Sequence, residues 1–483
     1  TSVFDRYMEL RGLSGSTAPK VFSWMSEAPR SLRMDEFYIR RNLSAFRDNQ
    51  IPMDYFIVGN GWQSALGEWD LPASGFPSGL SSLCAEIRGS GYKPGLWFAP
   101  FVVGVDSTIF RSRKNWLARE QGKPPRPAGR LLRHGGLVFS LDVSRDDVRK
   151  YIADNYRRMT ENWHYDLIVL DLLYAAGIYP RNGRSRGGAM NDAMRFLYSL
   201  KGDAKWILNG VPLESCFGNS GYVRIGSNTS PYWERPYYKN IHLRERESTR
   251  NALKSTIGRR QLNGRFFASA AGPFYLKSMK RGMDKFQRYT NLLLSHLFGS
   301  CLMATEAIED YQSQEMKLFK SLFPLMSPII NSVDEYRRTM QVSYRIKSRQ
   351  YLSISNISER TQSFQLPSGH WFAAPWLLRR AHHITGGKVQ QLKPWESRNY
   401  LFVDDEDCFA GSDGHIFPGS EIESIAKEDG DWRIIPKQEK RDSFRAWLQI
   451  SETESVVTLN GYPVEKKLSA YGRWLADTLV HPV

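Results

Sequence analysis

Short apolar runs and longer amphipathic segments alternate along the first two thirds of the chain. Between about residues 20 and 320, runs rich in β-branched and aromatic residues are separated by segments with apolar residues at helical spacing. This alternation is typical of parallel strands joined by crossover helices. Eight runs have the length and composition of such strands: residues 20–24, 55–58, 94–98, 166–170, 205–209, 222–226, 265–268 and 300–304. The pattern predicts an α/β fold, a (β/α)₈ TIM-type barrel, with functional groups at the C-terminal strand ends.

The connections between these strands differ in character. Residues 146–163 carry apolar side chains at the spacing of one helix face, which predicts the crossover into the fourth strand. A last barrel helix is predicted around residues 312–325. The insertion 111–136, rich in Pro, Arg and Lys, follows the third strand. We interpret it as a loop at the rim of the barrel, with a surface excursion of no function as the alternative.

The pattern changes near residue 332. Short alternating runs at 341–345, 351–355, 362–366 and 400–403 are separated by turn residues, which favours an antiparallel β-sandwich. Residues 444–450 and 456–459 continue the alternation. The sequence therefore predicts a (β/α)₈ barrel domain over residues 1–331 and a C-terminal β-rich domain over residues 332–483.

Charge and cysteine content exclude several classes of protein. The 66 basic and 50 acidic residues give a net charge of +16 that is spread along the chain. Without a basic arm, zinc-finger spacing or an RNP-like motif, this charge indicates a solvated surface and argues against a nucleic-acid partner. The four cysteines are far apart and form no CxxC pair, which argues against a zinc site and a disulfide framework. No metal or redox cofactor is implied.

The chain shows no targeting or membrane signal. No apolar run approaches 18 residues and no signal peptide opens the sequence, so we expect a cytoplasmic protein with no membrane partner. Because the sequence begins at Thr1 rather than Met, an N-terminal leader that has been removed is an open alternative.

Short phrases at the predicted strand ends follow a characteristic order. They are FSW at 22–24, GWQ at 61–63 with GEWD at 67–70, FPSGL at 76–80 with KPGLWFAP at 93–100, LDV at 141–143, and RIGSNTSPYW at 224–233. In this order they resemble glycoside hydrolase family 36, the α-galactosidase family. The resemblance covers most of the predicted barrel.

That resemblance implies a retaining glycosidase. One carboxylate attacks the anomeric carbon, and a second carboxyl group protonates the departing oxygen. The family's nucleophile ends the fourth strand, where this sequence has Asp171. A carboxylate that ends a buried apolar strand is costly unless it is paired or functional. A structural aspartate that caps the following segment is the alternative.

The sequence departs from the family where the second carboxyl group belongs. Asn228 stands at the position of the acid/base aspartate, and a neutral amide cannot supply a proton. Loss of general acid catalysis typically costs about 10²–10⁴-fold in rate. An engineered replacement would explain Asn228 alone, but further polar positions also differ: Gly59 and Asn60 after strand two, Val169 in strand four, Asn209 after strand five, and residues 269–272 after strand seven. Each lost partner of a sugar hydroxyl is worth roughly 1–3 kcal/mol.

Several candidate substrate-binding residues remain. The resemblance places Trp62, Trp69 and Trp97 where rings stack on sugar faces, with core packing as an equal alternative. Polar contacts are expected from Asn60, Asn209, Arg224 and Ser269. Other carboxylates near the predicted mouth are Glu306 after strand eight, and Glu214 and Glu234, which flank the acid/base region and are alternative proton donors.

Two functional hypotheses follow. The first is an α-galactosidase-like glycoside hydrolase with a nucleophile-position Asp171 that is impaired or inactive on galactosides. The second is a non-catalytic protein that binds a carbohydrate or another partner on the same fold. The ligand would be an α-galactoside or an altered sugar. Association of identical chains into a homo-oligomer is an open alternative. We expect the barrel mouth to gather into one concavity Asn60, Trp62, Trp97, Asp171, Asn209, Arg224, Asn228 and Ser269.

Overall fold

The computed structural model describes residues 3–16, 18–27, 34–131, 136–180, 183–218, 221–234, 248–336, 338–376, 382–440, 442–451, 457–469 and 474–481. Its helices are α1 (Val3–Arg11), α2 (Glu36–Asp48), α3 (Gly79–Gly89), α4 (Thr108–Ser112), α5 (Asp146–Arg157), α6 (Arg186–Leu200), α7 (Thr249–Gly258), α8 (Lys285–Phe298) and α9 (Ser313–Lys320).

The strands of the first two thirds are β1 (Val21–Met25), β2 (Tyr55–Val58), β3 (Lys93–Phe98), β4 (Val102–Gly104), β5 (Pro127–Leu131), β6 (Gly136–Ser140), β7 (Leu167–Leu170), β8 (Lys205–Leu208), β9 (Tyr222–Arg224), β10 (Ala268–Phe274) and β11 (Cys301–Ala304). Those of the last third are β12 (Ile329–Tyr336), β13 (Thr339–Ile346), β14 (Arg349–Asn356), β15 (Gln362–Gln365), β16 (His370–Ala373), β17 (His382–Thr385), β18 (Val389–Leu392), β19 (Ser397–Val403), β20 (Phe409–Ser412), β21 (Ile422–Glu428), β22 (Asp431–Pro436), β23 (Phe444–Ile450), β24 (Val457–Leu459), β25 (Tyr462–Val464), β26 (Lys466–Leu468) and β27 (Trp474–Val480).

Eight parallel strands close into a barrel in the order β1-β11-β10-β9-β8-β7-β3-β2. The strands are almost wholly buried because side chains fill the interior and helices cover the outside. Antiparallel sheets follow, the largest in the order β12-β13-β14-β19-β16-β17. This architecture confirms the prediction of a TIM-type barrel with C-terminal antiparallel β-structure.

The predicted barrel strands agree with the structure except for the seventh. Seven of them differ from the observed bounds by no more than two residues at either end. The seventh was predicted at 265–268 but spans Ala268–Phe274. Its small residues Ser-Ala-Ala-Gly resemble a turn by composition, yet all seven positions are buried between β9 and β11. Burial between two neighbouring strands therefore outweighs the low strand propensity of these residues.

Two other connections refine the sequence-based interpretation. The insertion after the third strand is not a plain loop, because β4, β6 and β5 form a three-stranded antiparallel sheet there. The last barrel helix, α9, ends at Lys320, and β12 begins at Ile329. The domain division at residues 331 and 332 stays a prediction. In the described part of the chain, no helix combines the length and apolarity needed to cross a bilayer.

Two buried histidines lie between the barrel and the C-terminal sheets. The Nε2 atom of His296 is 3.0 Å from the carbonyl oxygen of Met326, and its ring packs edge-on against Phe417. His415 donates through Nε2 to the carbonyl of Pro324 at 2.9 Å and accepts through Nδ1 from the backbone N–H of Phe417 at 2.8 Å. This pattern of one donor and one acceptor requires a neutral His415 ring. Burial, reinforced by Lys440 and Lys437, lowers its pKa to about 3.

We expect acid to destabilise the fold through these histidines. The folded pKa of His415 is about 3 against an ordinary value of 6.5, so the unfolded chain binds more protons between these two values. The free energy of unfolding is therefore highest above pH 6.5 and falls as the pH drops toward 3. In denaturant titrations, His415→Asn should reduce this slope by about one proton. Some slope should persist, because burial also lowers the pKa of His296.

The control is His164→Asn. His164 is exposed and has a φ of 62°, a conformation that asparagine tolerates well. An unchanged pH slope in His415→Asn, or an equal loss of slope in both variants, would contradict this prediction.

Candidate functional site

A cavity lies at the C-terminal end of the barrel. Its lining residues are Met25, Trp97, Val169, Asp171, Ile207, Asn209, Arg224, Ala270, Gly272 and Met303. Inward-facing positions of five strands form an apolar floor, and the polar groups surround it.

Backbone pairing places Asp171 at the edge of this cavity. The backbone N–H of Asp171 donates to the carbonyl of Phe98 at 2.9 Å, which extends the pairing of β7 with β3 by one residue. On the other side of β7, the N–H of Asn209 donates to the carbonyl of Leu170 at 2.8 Å. The two side chains therefore project from adjacent strand ends into the same space.

Two N–H donors hold the Asp171 carboxylate in one orientation. The indole Nε1–H of Trp97 donates to Oδ2 at 3.0 Å, and the backbone N–H of Leu172 donates to Oδ1 at 2.7 Å. Leu172 has φ 54° and ψ 31°, so the chain turns sharply directly after the carboxylate. The 3₁₀ helix that follows, Leu173–Gly177, has no side-chain cap. Asp171 therefore accepts one backbone N–H of the segment that follows it, and its role as a structural aspartate stays the alternative prediction.

Trp62 and Trp69 pack behind Trp97 and do not line the cavity. Both are fully buried, and their ring centroids are 5.9 Å apart. The indole of Trp62 donates to the carbonyl of Trp97 at 2.8 Å, and Trp69 lies 5.9 Å from the Trp97 ring. The expectation that Trp62 and Trp69 stack on sugar faces is therefore wrong in this structure. Their contacts fix the tryptophan that binds Asp171.

The guanidinium group of Arg224 lines the cavity next to Gly272. Its Nη2 donates to the carbonyl of Ser227 at 3.3 Å. An ideal Cβ placed on Gly272 would lie 3.0 Å from that Nη2 and 3.2 Å from Cγ2 of Thr229. Gly272 also has a φ of +97°, in an irregular stretch of β10. The absence of a side chain at this position therefore makes room for the guanidinium group.

Three further predicted site residues lie outside the lining. Asn228 is exposed in the loop after β9. Asn60 follows β2 and accepts a hydrogen bond from Nε2 of Gln63 at 2.8 Å. Ser269 is fully buried, and it is the second residue of β10 rather than a residue of the loop after it. Ser269 lies within a strand because the seventh barrel strand begins later in the sequence than predicted. Of the residues expected in a single concavity, only Trp97, Asp171, Asn209 and Arg224 line the cavity.

The alternative carboxylates also lie away from the cavity lining. Glu306 accepts from the backbone N–H groups of Leu276 and Lys277, at 2.6 and 3.2 Å, and from the hydroxyl of Tyr311 at 3.0 Å. Burial raises the pKa of Glu306, although these hydrogen bonds oppose the change. Glu234 pairs with Arg250 at 3.4 Å, and Glu214 is exposed. Glu306 thus braces two loops, and neither Glu214 nor Glu234 replaces the missing acid within the cavity.

Apart from Val169, the residues of the apolar floor of the cavity were not predicted from the sequence. Val169, Ile207 and Ala270 line it, each two residues before another lining residue. Alternate residues of a strand share a face, so this signal was available from the strand assignments. The described residues contain no group of three or more His, Cys, Asp or Glu side chains that could hold a metal ion.

Solved structures of glycosidases share this barrel fold. A solved α-galactosidase from Thermus thermophilus, TtGalA, in complex with p-nitrophenyl α-D-galactopyranoside, is 25% identical with a TM-score of 0.62, covering 72% of this chain and 69% of that one. A β-L-arabinopyranosidase from Geobacillus stearothermophilus is 13% identical with a TM-score of 0.59, covering 81% and 97% of the two chains, and shares the fold.

Sequence comparisons point to the same group. The family model described as Melibiase matches residues 40–230. Alpha-galactosidase 1 of Pediococcus pentosaceus is 23% identical over 190 residues, which are 37% of this chain and 25% of the relative. Alpha-galactosidase AgaA of Geobacillus stearothermophilus is 29% identical over 185 residues, 36% and 24% of the two chains. The matches thus span about a quarter of these relatives, both of which are α-galactosidases.

We expect Gly272→Ala to displace Arg224. The added methyl group would lie 3.0 Å from the guanidinium, and the φ of +97° disfavours any side chain, so the free energy of unfolding should fall by about 1 kcal/mol or more. Chemical denaturation measures the change. Gly258→Ala is the matched control, because its Cβ meets nothing within 4 Å and its backbone is helical. Equal stability of Gly272→Ala and wild type would show that Arg224 does not need this space.

Proposed function

We propose that this chain is a divergent family 36 relative that binds the terminal pyranose of an α-galactoside-like carbohydrate, and that its hydrolytic chemistry is impaired. The observation that carries the proposal is the Asp171 carboxylate, oriented by Trp97 at the end of the fourth barrel strand. Asn209 and Arg224 line the same cavity and would contact sugar hydroxyls. TtGalA in complex with stachyose, 28% identical with a TM-score of 0.58, supports a carbohydrate as the ligand.

Impaired chemistry follows from the composition of the cavity. A retaining glycosidase needs two carboxyl groups about 5–5.5 Å apart. Among the described residues that line the cavity, Asp171 is the only carboxylate. Asn228 cannot protonate a leaving group, and it lies exposed outside the lining. Natural galactosides, which have poor leaving groups, depend most on that protonation.

A purely binding protein is the second candidate, and the cavity floor favours it. Half of the ten lining residues are apolar side chains that cannot bond a sugar hydroxyl: Met25, Val169, Ile207, Ala270 and Met303. The only carboxylate among these lining residues, Asp171, accepts one hydrogen bond from the protein on each oxygen. Few groups therefore remain to hold a galactose in a reactive pose.

We expect binding without turnover. Isothermal titration should detect stachyose binding, and Arg224→Ala should weaken it about ten- to hundredfold through loss of a charged hydrogen-bond donor. Arg265→Ala is the control, because Arg265 pairs with Asp5 at 2.8 Å and does not line the cavity. No nitrophenol should be released from p-nitrophenyl α-D-galactopyranoside, even with added azide, a nucleophile that needs no general base.

Two results would decide between these candidates or against both. Azide-dependent release of nitrophenol that disappears in Asp171→Ala would show that Asp171 still acts as a nucleophile, which contradicts the purely binding protein and leaves the impaired enzyme. Absence of stachyose binding by the wild-type protein would contradict carbohydrate recognition itself.

A further inference from the structure

Tyr174 occupies a distinctive position at the mouth of the barrel. It lies in the 3₁₀ helix that follows Asp171, and 38% of its surface is exposed. The other large aromatic residues that are more than one-third exposed in the described chain are Phe4, Phe37, Tyr336 and Tyr462. Of these five, only Tyr174 lies within three residues of a residue that lines the cavity.

The Tyr174 side chain spans two parts of the rim. Its hydroxyl donates to the carbonyl of Ala128 in β5 at 3.3 Å. An ideal Cβ on Gly129 would lie 3.0 Å from that hydroxyl oxygen. At the other side, an ideal Cβ on Gly210 would lie 3.3 Å from Cδ1 of the ring. The ring is therefore held between the rim sheet and the loop after β8.

This placement puts the ring beside the cavity rather than inside it. Gly210 directly follows Asn209, which lines the cavity, and Tyr174 follows Asp171 by three residues. Burial and the negative charge of Asp171 raise the pKa of Tyr174, which agrees with the proximity of the two side chains. A ligand unit that extends out of the cavity over Asp171 and Asn209 would meet this ring.

We propose that Tyr174 is an aromatic platform for the sugar unit linked to the pyranose in the cavity, and that it makes the site selective for oligosaccharides over monosaccharides. The inference rests on the proposed carbohydrate-binding function. Aromatic rings stack on the apolar faces of pyranoses, and Trp62 and Trp69 are too buried to do so. The ring is already fixed by the hydrogen bond of its hydroxyl and by its close approach to Gly129 and Gly210. Stacking on a sugar would therefore cost little additional conformational entropy.

The test compares galactose with stachyose by isothermal titration. Tyr174→Ala should lower the affinity for stachyose about two- to tenfold, and it should leave the affinity for galactose unchanged. Tyr174→Phe keeps the ring and should retain stachyose affinity within about twofold. Tyr462→Ala removes a tyrosine that is 73% exposed on β25 and should change neither affinity.

Thermal melting checks that each variant folds. If Tyr174→Ala does not fold, Tyr174→Leu fills the same space without a ring face and should show the same loss for stachyose. Unchanged stachyose affinity in the folded variant, or an equal loss for both sugars, would overturn the platform while leaving carbohydrate binding intact. A wild-type protein that binds neither sugar would overturn the proposed function and the platform together.

Discussion

The hydrogen-bond ladder that joins β3, β7 and β8 determines the geometry of the candidate site. Parallel pairing fixes which residues reach the C-terminal edge, and it continues through Asp171 and Asn209 after the strands themselves end. Side chains alternate between the two faces of each strand. The last inward-facing residue within a strand therefore forms the floor of the cavity, and the residue two positions later forms its wall. A shift of one residue in this register would turn Asp171 away from the cavity.

A buried aromatic layer stabilises this arrangement from behind. The ring of Trp69 packs against those of Trp97 and Phe98, with centroids 5.9 and 5.0 Å away, and the indole of Trp62 donates to the carbonyl of Trp97. The indole N–H of Trp97 is thereby presented to Asp171 from a rigid position. A polar carboxylate at the end of an apolar strand is costly without such partners. The wall of the cavity on the side of β9 has a different support, since Gly272 leaves the space that Arg224 fills. The structure thus maintains two polar groups in position, while the residue expected to act as acid lies exposed in a loop.

The fold could be predicted well from the sequence because apolar periodicity reports burial directly. Seven barrel strands and β23, at residues 444–450, followed from this signal. The seventh barrel strand did not, because its small residues carry no strand signal and only its burial between two strands defines it. For the site, phrases at strand ends located Asp171, Trp97, Asn209 and Arg224. They could not distinguish a tryptophan that faces the cavity from one that packs behind it. Tyr174 was missed because its exposure depends on contacts with a distant rim strand, which no local pattern encodes.

We propose that a terminal pyranose binds in the cavity beside Asp171. Diffraction data from crystals of the protein soaked in stachyose test this binding most directly. We expect density for the terminal galactose inside the cavity, with its anomeric carbon facing the Asp171 carboxylate and a ring hydroxyl within hydrogen-bonding distance of Arg224. Stachyose bound elsewhere on the protein, with the cavity beside Asp171 free of sugar, would contradict it.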